Sequence, residues 1–505
     1  MTQQQHFPGS SGHRSLNAPR TLEVDDVVVI QPKDLRRAII GTSVGNFMEW
    51  FDLGVYGYLA VTMTAVFTAG MDSTWGLLVT LLGFAVSFLI RPLGGIILGP
   101  LGDRIGRQKV LYFTMALMAV STALIGVLPT AEQIGLWAIV PLYFLKLLQG
   151  FSAGGEFSGA STYVAEFAPD RSRGFWASLL NVATYLGFAT GALTVAVTTY
   201  VTTNVWGESA MTDFGWRIPF LIAIPLGVIA VWIRLRLPET PSFEIADEFQ
   251  ADHKGAEDSI FTRLGVLGVI KHHWKIVLLG MAIVSAELTI QYALTSYMPT
   301  YLETEVGVSN LNASLATVPI LIIMSLSLPL FGHLSDKFGR RPVYLVGSIS
   351  SLVLMVPAFM ILQTGNIWAI FGALLLVAFP TACFVGLTAS ALPALFPTAS
   401  RFAGMALMYN MSAALFGGTT PLFSQALVQA TGNTYMPAFY IMFFAAIATV
   451  AIILIPESAG KPLIGSMPVV TSRAQAEELV RNQASNPRLD TQTMPLRVIT
   501  TKSGE

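Results

Sequence analysis

Six charged side chains lie inside apolar runs of this 505-residue chain: Glu49, Asp52, Arg91, Lys146, Glu156 and Glu287. A charge held near the middle of a bilayer is expensive unless it pairs or faces water, so each is a candidate for chemistry. Glu49, Asp52 and Tyr56 recur at spacings of three and four in Gly45-Asn-Phe-Met-Glu-Trp-Phe-Asp-Leu-Gly-Val-Tyr56, and so share one helical face. Arg91 lies on the next run, roughly 16 Å above its charged end at about 1.5 Å per residue, a height comparable to that of the two carboxylates. Carboxylates facing an arginine in that position can take up and release a proton as their surroundings change. The same residues can instead form a structural ion-pair network that joins two helices. Lys146 and Glu156 are too far apart on one run to meet, and each needs a partner on a neighbouring helix. Asp52, Glu49 and Glu156 are therefore the proton-coupling candidates.

A substrate site would draw on Arg91 and Lys146 for an anionic group. Glu287, the single carboxylate in the second half's apolar runs, would serve a cationic one, or else packs at a cavity edge. Ring faces attract cations, and Trp50, Phe51, Tyr56, Phe151, Phe157, Tyr292, Tyr409 and Tyr440 are available for such a cage. Aromatics are common in any membrane bundle, so the shorter set Trp50, Tyr56 and Tyr292 stands with Arg91, Lys146 and Glu287. Gly150 and Gly154, and Gly155 and Gly159, are spaced for close helix packing. Glu166 is placed for an ion pair at a surface or gate.

The elements that must hold these residues follow from composition. The chain is 53% hydrophobic and 12% charged, with mean hydropathy +0.61; soluble domains carry about 25% charge. The apolar residues form about twelve runs, each long enough to cross about 30 Å of hydrocarbon. Backbone groups in lipid must be satisfied within the segment, so the runs are helices. Six precede a polar segment and six follow it. The expected organisation is a tail at 1–35, a helical bundle at 36–237, a linker at 238–274, a second bundle at 275–455 and a tail at 456–505, with a short helix around 473–483. The first 35 residues lack the basic-then-apolar pattern of a signal peptide.

Arg104, Arg107, Lys109, Arg171, Arg173, Arg234, Arg236, Lys337, Arg340, Arg341 and Arg401 all fall in one set of loops, and the alternate loops hold no Lys or Arg. The positive-inside rule then puts both termini in the cytoplasm. Net charge is −1, which argues against nucleic acid. The lone Cys383 excludes an intramolecular disulfide framework, and the six histidines fall in tails or loops. No metal site, cofactor or partner chain is called for, and the chain reads as a monomer. No Ser/His/Asp set or phosphate loop in the apolar runs suggests an enzyme.

The loop Gly99-Pro-Leu-Gly-Asp-Arg-Ile-Gly-Arg-Gln-Lys109 returns as Gly332-His-Leu-Ser-Asp-Lys-Phe-Gly-Arg-Arg-Pro342, a little under half a chain later. Two related halves follow from that repeat. Gly99, Asp103, Arg104, Gly106 and Arg107, with Asp336, Gly339 and Arg340, form a candidate gating motif in which aspartate pairs with arginines or helix N-termini in one state and lets go in another.

These paired loops resemble the signature loop of the major facilitator superfamily. Gly45–Asp52, Phe88-Leu-Ile-Arg-Pro-Leu-Gly-Gly95, Gln149-Gly-Phe-Ser-Ala-Gly-Gly-Glu156, Trp216-Arg-Ile-Pro-Phe220 and Glu239-Thr-Pro241 resemble its metabolite:proton symporters. Gly159 to Phe175 is most similar to the osmoregulatory proline/betaine branch. The resemblance covers about residues 33–475. It implies an all-α membrane protein of the major facilitator fold, with twelve transmembrane helices in two six-helix bundles, in a bacterial inner membrane. It also implies inward symport of a zwitterionic compatible solute with a proton, which is the only coupling species and needs no cofactor. Some members of that branch end in an osmosensing antiparallel coiled coil, and this tail lacks the heptads. Two other readings keep the fold. One is an acid symporter for α-ketoglutarate or shikimate, for which a doubly charged anion would want a further cation. The other is a drug:proton antiporter, against which the fifth run counts, having Gly187 and Gly191 but no proline.

Overall fold

The computed structural model describes residues 21–105, 107–236, 260–489 and 494. The first half contributes α1 (Pro32–Tyr58) with α2 (Ala60–Phe67), α3 (Ser73–Leu89) with α4 (Arg91–Ile105), α5 (Arg107–Ile125), α6 (Ile139–Ala153) with α7 (Glu156–Phe167), α8 (Arg173–Trp206) and α9 (Arg217–Arg236). The second half contributes α10 (Ile260–Tyr292) with α11 (Met298–Thr304), α12 (Asn310–Phe338), α13 (Arg340–Leu362), α14 (Ile367–Ala391), α15 (Thr398–Ser412) with α16 (Thr420–Thr431), and α17 (Met436–Leu454). Among the described residues, nine helices are long and apolar enough to span a bilayer, and the bent pair α1–α2 makes a tenth. The shorter α5 and the interrupted α15–α16 complete the twelve expected spans.

Two details depart from the sequence reading. The fourth span is not one helix. It breaks at Gly154 and Gly155, so Glu156 opens α7 rather than continuing the helix that carries Lys146. The seventh span is longer than expected. Its helix begins at Ile260, inside the segment assigned to the 238–274 linker, of which 238–259 lie outside the described residues. A short tail helix, α18, runs Arg473–Arg481, close to its expected place.

Close packing in the first bundle depends on missing side chains. A Cβ on Gly150 would sit 1.7 Å from the Ser87 carbonyl oxygen, and one on Gly154 would sit 2.2 Å from that of Arg91. The glycine stripe thus lets α6 lie directly on the α3–α4 backbone. Gly150→Val is expected to deplete folded, membrane-inserted protein. Gly155→Ala, with nothing within 4 Å of its Cβ, is expected to behave as wild type. Size-exclusion profiles of detergent-solubilised variants check both.

The bundles meet along two seams. On one, α8 lies against α12: Ser325 Oγ donates to the Val182 carbonyl (3.0 Å), and a Cβ on Gly174 would fall 2.4 Å from the Gly332 carbonyl oxygen. On the other, Asn410 Nδ2 of α15 donates to the Gly154 carbonyl (2.7 Å) and Gly418 abuts the Phe88 ring. Three one-turn π-bulges interrupt the helices, at Met211–Gly215, Ala293–Tyr297 and Ala413–Gly417. Such bulges often mark functional positions, and two of them border the site below.

Candidate functional site

Four of the six intramembrane charges form two ion pairs inside the first bundle. Arg91 Nη1 lies 2.5 Å from Glu49 Oε1, and Lys146 Nζ lies 3.5 Å from Asp52 Oδ2. All four side chains are buried. The carboxylates therefore do not share one arginine, as their spacing suggested; each has its own cation. Asp52 is the more firmly held. Gln149 Nε2 donates to Asp52 Oδ1 at 2.8 Å and also to Thr122 Oγ1 at 2.8 Å. The Lys146 ammonium lies 4.4 Å from the centroid of the Tyr56 ring, whose hydroxyl donates to the Thr80 carbonyl at 2.9 Å. Tyr56 thus serves the Lys146–Asp52 pair within the bundle and does not face the other half. Glu49 is held by Arg91 alone, and its Oε2 meets no hydrogen-bond donor among the described residues.

A cavity of 10 Å³ touches Glu49, Asp52, Ser87, Arg91 and Gln149, about the space one water needs. One carboxylate of each ion pair lines it.

Trp50 points from the opposite face of α1. Its Nε1 donates to Asn46 Oδ1 at 2.8 Å, and Asn46 Nδ2 donates in turn to Thr184 Oγ1 (2.6 Å) and the Leu180 carbonyl (3.1 Å), which fixes the ring. Across the bundle interface stands Tyr292, the last residue of α10 before its π-bulge. Its ring centroid is 6.0 Å from Trp50, 5.0 Å from Phe88 and 6.0 Å from Phe84. The π-bulge at Ala413–Gly417 supplies Gly417, where a Cβ would fall 2.8 Å from the Tyr292 ring edge. The Arg91 guanidinium sits 4.0 Å from the Phe88 centroid. One cation is thus shared between an acid, Glu49, and the wall of an aromatic box.

The remaining candidates lie apart from these pairs. Glu156 rests against Gly45 of α1, where a Cβ would fall 1.8 Å from its Oε1. Glu287 is buried in the second bundle and hydrogen-bonds Thr388, with no partner for Oε2 among the described residues. Tyr409 stacks on Phe157 at 4.4 Å, and Tyr440 packs on Phe444 and Phe423. Gln149, Phe84 and Phe88 were not singled out from sequence. Gln149 had one available signal: it follows Lys146 by three and so shares its helical face.

Both ends of the interface are shut. At the tail end, Asp336 receives the Gly174 and Phe175 amides (2.8 and 2.9 Å) and Arg340 Nη2 (2.7 Å). The second motif copy thus caps the N-terminus of α8, a helix of the other bundle, where a carboxylate is favoured by the free amides and the helix dipole. Gly339, at φ +106°, provides the turn between α12 and α13. Arg401 Nη1 bonds Glu166 Oε1 at 2.6 Å across the same mouth. In the first copy, Gly106 and the side chains at Gly99, Asp103, Arg104 and Arg107 lie outside the described residues. At the opposite end, Asn310 Nδ2 donates to the Tyr58 carbonyl at 3.2 Å, and a Cβ on Gly57 would fall 3.1 Å from Ser296 Cα.

Residues 38–468 match the family model described as "Sugar (and other) transporter". The chain is 59% identical over 489 residues to the ectoine/proline transporter ProP of Corynebacterium glutamicum, covering 97% of each chain. It is 40% identical over 470 residues both to the glycine betaine/proline/ectoine/pipecolic acid transporter OusA of Dickeya dadantii and to the proline/betaine transporter of Escherichia coli strain K12, covering 92% of each chain. Among solved structures, the major facilitator superfamily proton:xylose symporter XylE aligns with TM-score 0.65 at 18% identity, over 86% of this chain and 98% of XylE. At that identity the likeness concerns the fold alone.

Proposed function

Because the chain belongs to the sugar (and other) transporter family of the major facilitator superfamily, and is thus a multi-pass membrane transporter rather than an enzyme, we propose that it imports a zwitterionic compatible solute together with a proton. Proline, glycine betaine and ectoine are the solutes named for its relatives. The observation that carries this reading is the position of Arg91, bonded to Glu49 on one side and stacked on the wall of the Trp50–Phe88–Tyr292 box on the other.

The chemistry runs as follows. Asp52 is fixed by Lys146 and Gln149, whereas Glu49 has Arg91 as its one ion-pair partner; both line the small cavity. A proton arriving there neutralises Glu49 and frees Arg91. The freed guanidinium takes the solute carboxylate, and the solute ammonium lies against the ring faces of Trp50 and Tyr292. Both charges of a zwitterion are then met. A dicarboxylate would need a second free cation, and Lys146 is already committed to Asp52. The loaded bundles rock about this midplane site, breaking the Asp336 cap on α8 as the tail-side mouth opens. The excess of Lys and Arg in the tail-side loops supports reading that mouth as cytoplasmic; the proposed setting, from the bacterial relatives, is an inner membrane, and the proposed working unit is a monomer. Glu156 and Glu287 flank the path, Glu287 as a second stop for the ammonium.

Proteoliposomes with an imposed inward proton gradient test the assignment. Radiolabelled proline should accumulate, protonophore should abolish accumulation, and betaine and ectoine should compete. Competition by α-ketoglutarate or shikimate in place of betaine would overturn it.

A further inference from the structure

The two tails are not separate appendages. β1 (Val28–Val29), just before α1, pairs in parallel with β2 (Val469–Val470), beyond the last span. The Val28 amide donates to the Pro468 carbonyl and the Ile30 amide to the Val470 carbonyl, each at 2.9 Å. Leu22 and Gln483 exchange two hydrogen bonds, from the Leu22 amide to Gln483 Oε1 (2.7 Å) and from Gln483 Nε2 to the Leu22 carbonyl (3.1 Å). Leu22, Val27, Val470, Ala476 and Met494 close a small apolar core of their own. This module joins the chain that enters the first bundle to the chain that leaves the second.

The segment leading into it, residues 457–468, spans the tail-side mouth with a foot on each bundle. On the second bundle, Arg401 Nη2 donates to the Ile464 carbonyl (2.8 Å), Arg401 Nη1 to Ser466 Oγ (3.2 Å), and the Thr398 amide to the Ile464 carbonyl (3.1 Å). On the first bundle, Arg173 Nη1 donates to the Lys461 carbonyl (3.0 Å), and Asp170 Oδ2 accepts the Val469 amide (3.1 Å). Leu463 is buried between Ala165 of one half and Ala394 of the other. Arg173 begins α8, the helix capped by Asp336, and Arg401 is the partner of Glu166. The segment therefore binds the residues that must separate when this mouth opens.

We infer that the joined tails are a clasp that holds the tail-side mouth shut, and that release of the first-bundle foot at Asp170 and Arg173 is a step of the transport cycle. The second foot stays, because residues 457–466 continue directly from α17 and are tied to Arg340, Arg341 and Arg401 of the same bundle. The inference rests on the alternating-access reading but on no particular solute. It gives the tails a mechanical role without a coiled coil.

Two reporters test it without substrate or gradient. Ser178→Cys lies in the tail-side seam and Ser296→Cys near the opposite mouth; both serines are buried, and the one native thiol, Cys383, is buried too. Each is probed with a membrane-impermeant maleimide, in vesicles of the orientation that presents its mouth. Val470→Asp places a charge in the clasp's apolar core, and a chain ending at Ser466 removes β2, α18 and the Asp170 half of the first-bundle foot while keeping the Arg173–Lys461 contact and the second-bundle foot. In both backgrounds, labelling at position 178 should quicken about fivefold, the effect of losing roughly one hydrogen bond's worth of closure, and labelling at position 296 should slow. Unchanged labelling at 178 in both backgrounds overturns the inference. So does a rise at 178 with 296 unmoved, since a mere steric cover would give that result.

Discussion

Replacing Glu49 by Gln is expected to abolish proton-driven accumulation while leaving solute exchange intact. At 100 mV one translocated charge supplies about 2.3 kcal/mol, about a 50-fold concentration ratio at 1.4 kcal/mol per tenfold. That ratio should fall to about one in the variant, because an amide side chain at position 49 can neither take up nor return a proton. Counterflow of labelled against unlabelled proline needs no net proton movement and should persist. The variant also leaves Arg91 permanently free. A buried cation stripped of its partner destabilises a fold by about 3–5 kcal/mol, and the solute carboxylate restores a partner. Proline should therefore raise the melting temperature of the variant more than that of the wild type. The pH dependence has a definite sign. In the wild type, apparent affinity falls as pH rises, because Glu49 must be protonated before Arg91 is released; in the variant, affinity is flat with pH. Accumulation at the wild-type ratio, or a retained pH dependence, would assign the coupling to another acid, with Asp52 the first to test.

The partition between what sequence revealed and what it did not follows the range of each interaction. The spans were legible because they rest on local hydropathy, while sidedness and the two halves are expectations that rest on Lys and Arg counts and on a repeated loop. The intramembrane charges were legible as a set, since any charge in lipid needs a reason. Which acid takes which base was not, because Glu49, Asp52 and Tyr56 share a face on α1 but meet cations on two other helices. The break before Glu156 had a signal in the adjacent glycines Gly154 and Gly155, which an apolar run of spanning length overrode. Gln149 carries no charge and drew no notice, although its amide completes the Asp52 site. The clasp had no local signal. Two-residue strands carry no readable period, and Leu22 and Gln483 meet across 461 positions.

The motif copies illustrate a different limit. Repetition showed that Asp336 matters at a helix junction, but its partners across the interface are the amides of Gly174 and Phe175, groups every residue but proline possesses. Backbone donors become distinctive only when they are the free amides of a helix start and a carboxylate from the other bundle is aimed at them. A gate built this way can tolerate varied side chains on α8 as long as residue 174 stays small, since Gly174 itself touches the Gly332 carbonyl.

Replacing Trp50 by Leu is expected to raise KM for glycine betaine by about 30-fold with little change in kcat. A desolvated cation over an indole face is worth about 2 kcal/mol, which is that factor at 1.4 kcal/mol per tenfold. Betaine is the discriminating solute because its quaternary nitrogen has no N–H to donate, so ring faces are its only strong partner. Proline keeps an ammonium that can donate to Glu287 or a tyrosine hydroxyl, and its KM should move less. Two conservative variants separate the cage from general damage. Trp50→Phe keeps a ring but loses the bond to Asn46, and Tyr292→Phe keeps the ring and loses only a hydroxyl that has no hydrogen-bond partner among the described residues. Both should stay within about threefold of wild type for betaine, since a phenyl face retains much of the attraction. Initial-rate uptake against solute concentration, for both solutes in all three variants, reads the result. Equal losses for betaine and proline in Trp50→Leu, or a fall in kcat with KM unmoved, would move the cation away from this box and leave Trp50 as a packing residue between the bundles.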